Sequence, residues 1–157
     1  MATAHAGGYG RSRARSLAQT GAWVAGAAFL LVGILGFIPG ITSNYDDMTF
    51  AGNDSGAELF GIFQVSVLHN IVHLLFGVLG LWAARTWATA RGFLIAAGAV
   101  YLVLFVYGMV VDRASDANFV PVNAADDWLH LALGAAMLAI GLLSGRRPED
   151  DPLTRRH

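Results

Sequence analysis

The chain contains no cysteine, which excludes disulfides, thiolate nucleophiles, cysteine-bound zinc and iron–sulfur clusters together. It has no lysine either, and all ten basic side chains are arginine. Charge of either sign is scarce, at 13% of residues, against 55% apolar residues and a mean hydropathy of +0.54. That balance places the 157 residues in the membrane class, as one domain. No phosphate-binding loop, nucleotide fingerprint or serine–histidine–aspartate order is present. Arg11, Arg13 and Arg15 are not adjacent, so they do not form a twin-arginine signal.

What the chain does have is long apolar runs. Residues 21–38 carry no charge, and as a helix they span roughly 27 Å, near the ~30 Å of a hydrocarbon core. The run is long for the h-region of a signal peptide, and no small-x-small cleavage site follows it. Pro39-Gly40 ends it. Further runs complete a transmembrane domain over residues 21–144, with spans at about 21–39, 60–84, 92–111 and 127–144. Asp126 or Asp127 is suited to cap the last of these. Residues 1–20, rich in Gly, Ala, Ser and Arg, read as a disordered basic tail, and residues 145–157 as a second tail. In the first connecting loop Tyr45, Met48, Phe50 and Leu59 supply enough apolar surface for it to fold over the helix ends.

Orientation follows from the arginines, which are retained on the cytoplasmic side. With both termini inside, Arg11, 13, 15, 85, 91, 146, 147, 155 and 156 are cytoplasmic and only Arg113 is outside. The outer loops then carry most of the acids: Asp46, Asp47, Asp54, Glu58, Asp112, Asp116, Asp126 and Asp127. Trp23, Trp82 and Trp87 fall at inner ends and Trp128 at an outer end, where indole rings prefer to sit.

The spans also repeat. Gly26-Ala-Ala-Phe29-Leu30 followed by Gly36 matches Gly98-Ala-Val-Tyr101-Leu102 followed by Gly108, at an offset of 72 residues. Asn70-x-x-His73-Leu-x-Phe-Gly77 matches Asp127-x-x-His130-Leu-x-Leu-Gly134, at an offset of 57. The expected fold is therefore all-α: an integral membrane four-helix bundle of two pseudo-repeated helical hairpins, both termini cytoplasmic.

Three segments carry a family resemblance: Gly33-Ile-Leu-Gly-Phe-Ile-Pro-Gly40, Leu68-His69-Asn70-Ile-Val-His73-Leu, and Asn123-Ala-Ala-Asp126-Asp127-Trp128-Leu129-His130-Leu. Together they resemble an actinobacterial family of small four-pass membrane proteins catalogued as domain of unknown function 4383. The resemblance covers roughly residues 20–145. It implies a plasma-membrane protein of a Gram-positive bacterium and brings no activity with it.

The candidate chemistry lies with the histidines. His69, His73, Gly77 and Gly80 stay within about 80° of one another on a helix, and His130, Gly134, Met137 and Gly141 form a like stripe on the fourth span. Imidazoles need partners in hydrocarbon and glycines allow close approach, so both stripes are expected at helix interfaces. In the first reading His69, Asn70, His73, Asp127 and His130 form a structural polar cluster. A second reading makes His69, His73 and His130, with Asp126 or Asp127, ligands of a transition metal, or places a b-type haem between His73 and His130. Proton or small-solute passage is a third, although the first and third spans carry no charged group. No catalytic constellation stands out beyond the histidines. The expectation is thus a non-enzymatic structural or accessory subunit of a membrane complex. Its partners would be the lipid bilayer and other membrane proteins, and not nucleic acid.

Overall fold

The computed structural model describes residues 15–145 apart from residues 53 and 116. The expected basic tail before Arg15, the tail after Gly145 and Asp116 lie outside the described residues. Four helices dominate: α1 (Leu17–Leu35), α2 (Val67–Ala83), α3 (Trp87–Val110) and α4 (Ala124–Leu143). By length and composition α1, α3 and α4 are able to cross a membrane, whereas α2, with 17 residues, is shorter.

Each helix starts where a side chain accepts from the free N–H groups of its first turn. Ser16 and Gln19 form a reciprocal capping box, with Gln19 N donating to Ser16 Oγ at 3.2 Å and Ser16 N to Gln19 Oε1 at 3.0 Å. α1 therefore begins at Leu17, inside the stretch expected to be tail. Ser66 caps α2 through the His69 N–H at 3.2 Å, which moves its start from the expected residue 60 to Val67. Thr86 caps α3, so this helix begins before Arg91 rather than after it, with the guanidinium laid over the Trp87 ring at 5.9 Å. The cap of α4 is Asn123, which accepts from Ala125 and Asp126 N–H groups at 2.8 and 3.0 Å. Neither aspartate is the cap itself. Asp126 closes the capping box from the third helical position, accepting the Asn123 N–H at 3.0 Å.

The first loop departs from an all-α expectation. It holds a small antiparallel sheet of β1 (Thr42–Ser43), β2 (Glu58–Leu59) and β3 (Phe63–Gln64), with β2 in the middle. Strands of two residues carry no readable alternation, which is why they were not legible in the sequence. The sheet folds over the helix ends as the loop's apolar residues imply: Ala57, Leu59 and Val65 are buried against Val32, Leu35, Ile41 and Met48. Its β2–β3 hairpin is pinned to the start of α4 by Gln64 N donating to Asp126 Oδ2 at 3.1 Å and Asn123 Nδ2 donating to Ile62 O at 2.7 Å.

α1 packs chiefly on α2, and α3 on α4, as two antiparallel hairpins. Gln19 Nε2 donates to the carbonyls of Ala84 and Arg85, and Gly21 faces Ile140 and Leu94. The start of α1, the end of α2 and the end of α4 thus share one end of the bundle. Close approach depends on glycine: a Cβ at Gly26 would stand 2.7 Å from Leu81 N, and one at Gly98 would stand 2.8 Å from Leu138 N. The outward faces expose Leu31, Val78, Val103 and Leu142, a surface suited to acyl chains.

Overpacking at such a contact costs about 1–3 kcal/mol. Gly98→Val is therefore expected to lower the unfolding midpoint in detergent. Gly92→Ala, with nothing within 4 Å of the added Cβ, should be neutral or stabilising by up to about 1 kcal/mol. Equal midpoints for the two variants would contradict the packing described.

Candidate functional site

His69 and His73 lie one turn apart on α2 and their rings stack, with centroids 4.3 Å apart and 11° between planes. His73 Nδ1 lies 3.0 Å from the His69 carbonyl oxygen. A carbonyl only accepts, so in the neutral ring Nδ1 carries the proton and Nε2 presents its lone pair. The Tyr101 hydroxyl, 3.1 Å from His73 Nε2, is then the donor. This bond crosses from α3 to α2 and so joins the two hairpins.

Tyr101 meets the other histidine too. Its ring stands edge-on to His130, with centroids 5.0 Å apart, and lies 5.4 Å from Phe29 on α1. Phe29 is in turn edge-on to His73 at 5.7 Å. All four helices therefore contribute to one aromatic and imidazole cluster. Tyr101 and His130 are each only 6% exposed. The cluster brings together His69, His73 and His130, with Tyr101 set between the histidines of α2 and α4.

Asn70 and Asp127 are not part of it. Each turns to the partner helix of its own hairpin. Asn70, fully buried, lies against Gly36, where a Cβ would overlap its Oδ1; its Nδ2 is 3.9 Å from Met48 Sδ. Asp127 lies in the same way against Gly108, while its Oδ2 accepts from Arg113 Nη2 at 2.6 Å. Among the described residues neither Asn70 Oδ1 nor Asp127 Oδ1 has an N–H or O–H partner. Each oxygen instead faces the side of a glycine Cα, a geometry in which a weak Cα–H···O contact recurs.

The five residues considered as metal ligands are thus divided among separate settings. His73 and His130 contact Tyr101 with His69 stacked on His73, Asp126 serves the capping box, and Asp127 holds Arg113. Among the described residues no group of three or more His, Cys, Asp or Glu is placed to hold a metal ion. A haem between His73 and His130 would need the space that the Tyr101 ring fills.

Two cavities flank the cluster and share His69, His73, Tyr101 and His130 as a common wall. One, of about 290 Å³, lies between α2 and α3 under Phe119, Val120 and Pro121. The other, of about 150 Å³, lies between α1 and α4 beneath Leu59 and Phe63 of the small sheet. Sequence reasoning missed Tyr101, which passed as an apolar residue of the third span. A usable signal was its position opposite Phe29 in the repeat, where the two rings differ by a single hydroxyl. Arg113 and Gln64 carried no signal of their own, because their partners lie 14 and 62 residues away.

Residues 19–143 match the family described as Domain of unknown function (DUF4383). No curated protein and no solved structure matches the chain.

The Asp127 carboxylate is 2% exposed and its arginine 50% exposed. Removing one partner of a fully buried pair costs about 3–5 kcal/mol, and the half-exposed arginine reduces this to about 1–3 kcal/mol for Arg113→Ala. Asp127→Asn in that background should restore most of the loss, since the Asn70 amide already occupies the same kind of place against Gly36. Unfolding midpoints in detergent test this; a double variant no more stable than Arg113→Ala would contradict it.

Proposed function

Since the chain belongs to the family described as Domain of unknown function (DUF4383), which brings no activity with it, we propose a function from the geometry: a non-enzymatic four-span module of an actinobacterial plasma membrane, serving as a structural or accessory subunit of a larger membrane complex. The observation that carries this reading is that several of the polar groups set among the helices are engaged in holding the fold. Both ring nitrogens of His73, the Asp126 carboxylate and the Asp127–Arg113 pair bind elements of the chain itself. Toward the end where α1 begins, the interior is filled by Phe29, Phe93 and Met137, which offer no relay for protons. That packing favours a structural role over transport.

The two hairpins are proposed to be copies of one unit related by an axis along the membrane normal. In support, contacts repeat at the offsets of the sequence match. Gly26 abuts Leu81 N and Gly77 O as Gly98 abuts Leu138 N and Gly134 O. Gly36 meets Asn70 as Gly108 meets Asp127, and Gly77 meets Leu30 as Gly134 meets Leu102. Both termini are assigned to the cytoplasm on the arginine distribution. The exposed Phe50, Phe60, Phe119 and Trp128 are then amphipathic or apolar anchors at the outer boundary.

The cysteine-free sequence suits labelling by introduced cysteines. In intact cells Asp112→Cys should react with an impermeant maleimide, and Arg85→Cys only after permeabilisation; the reverse pattern would overturn the orientation. Purification from mild detergent should retain at least one stoichiometric membrane partner. A chain that runs alone, with no partner recovered by crosslinking in the native membrane, would overturn the accessory role.

A further inference from the structure

The larger cavity is not required by the clasp that the Tyr101–His73 hydrogen bond forms between the hairpins. A hydrogen-bonded seam needs only contact between its members, yet about 290 Å³ remains open beside it, close to the roughly 300 Å³ at which small-molecule sites begin. Its walls are hydrocarbon, from Val72 and Phe76 on α2 to Val100 and Leu104 on α3, except where Ser66, His69, His73, Tyr101 and His130 meet it. Val72, Val100 and Phe119 of its rim are exposed, so the mouth opens sideways between two helices whose outer faces are apolar. A ligand of this cavity therefore arrives from the bilayer and not from water.

The polar end sets the chemistry of the head group. His69 stacks its ring on His73 and lines the cavity, and among the described residues buried His130 Nδ1 has no hydrogen-bond partner. Each neutral imidazole offers one donor and one acceptor. Tyr101, with its O–H donated to His73 Nε2, keeps an oxygen lone pair free to accept. No arginine or carboxylate lines this cavity, which disfavours a phosphate, an ammonium or an ionised fatty acid.

We propose that the α2–α3 cavity binds a neutral lipid with a ring head bearing carbonyl or hydroxyl groups on a hydrocarbon tail, the quinone and quinol class, with the ring seated against His69 and Tyr101 and the tail leaving past Val72 and Val100. Binding alone is claimed, with no electron transfer. Binding in this cavity requires no protein partner, so it stands or falls independently of the accessory role.

The test uses the full chain in phosphatidylcholine nanodiscs, with a decyl-substituted benzoquinone as probe and decanoate as its chain-matched anionic control. The quinone should raise the unfolding midpoint in a saturable way and decanoate should not. His69→Phe should weaken quinone binding about tenfold, the equivalent of one hydrogen bond, and Val100→Trp should abolish it by filling the mouth. Because either variant could lose stability, an azido-quinone is also photolysed on the unaltered chain. Adducts on residues 68–76 and 100–104 support the site. No saturable quinone effect, an equal effect of decanoate, or adducts only elsewhere would overturn it.

Discussion

A hydrogen bond from Tyr101 to His73 is the constraint on which the rest of the molecule depends. In hydrocarbon an imidazole without a partner is costly, and helices gain little from apolar contact that lipid would not equally supply. The bond is specific in direction as well as place. His73 is fixed in one tautomer by the His69 carbonyl, so its Nε2 accepts a hydrogen bond, and the donor arrives from the other hairpin. Phe29 and His130 then pack on the rings this bond has positioned.

Within each hairpin a different force operates. Gly26 against Gly77 and Gly80, and Gly98 against Gly134, let backbones approach to where any side chain would collide, so dispersion and Cα–H contacts act along the seam. Between hairpins the packing is looser, and the two cavities lie there, on opposite sides of the His–Tyr wall. Tight hairpins joined by a polar clasp thus leave room beside the clasp as a consequence of how they are built. The small sheet of the first loop then covers one end, tied to α4 through Asp126 and Asn123.

Much of this was legible in the sequence, for identifiable reasons. Apolar runs and the His–Gly stripes encode burial, and burial repeats with the helix period, so helices and inward faces could be read from residues such as His73, Gly77 and Gly134. Helix starts were read less well. Ser16, Ser66 and Thr86 act through local cap hydrogen bonds, which an apolar count does not register. The candidate site was half visible. Three histidines pointed to it, but the residue joining them was a tyrosine in a span treated as uniformly apolar. Asn70 and Asp127 were expected in the histidine cluster, whereas their side chains face Gly36 and Gly108 across their own hairpins, close approaches that an apolar count does not register.

The most direct test of the clasp is a double-mutant cycle on Tyr101→Phe and His73→Phe, read as unfolding free energy in a mild detergent. A shared hydrogen bond predicts a coupling of about 0.6–1.7 kcal/mol, the range for interhelical bonds in membrane proteins. Additive effects of the two substitutions would contradict it, and with it the account of how the two hairpins are held together.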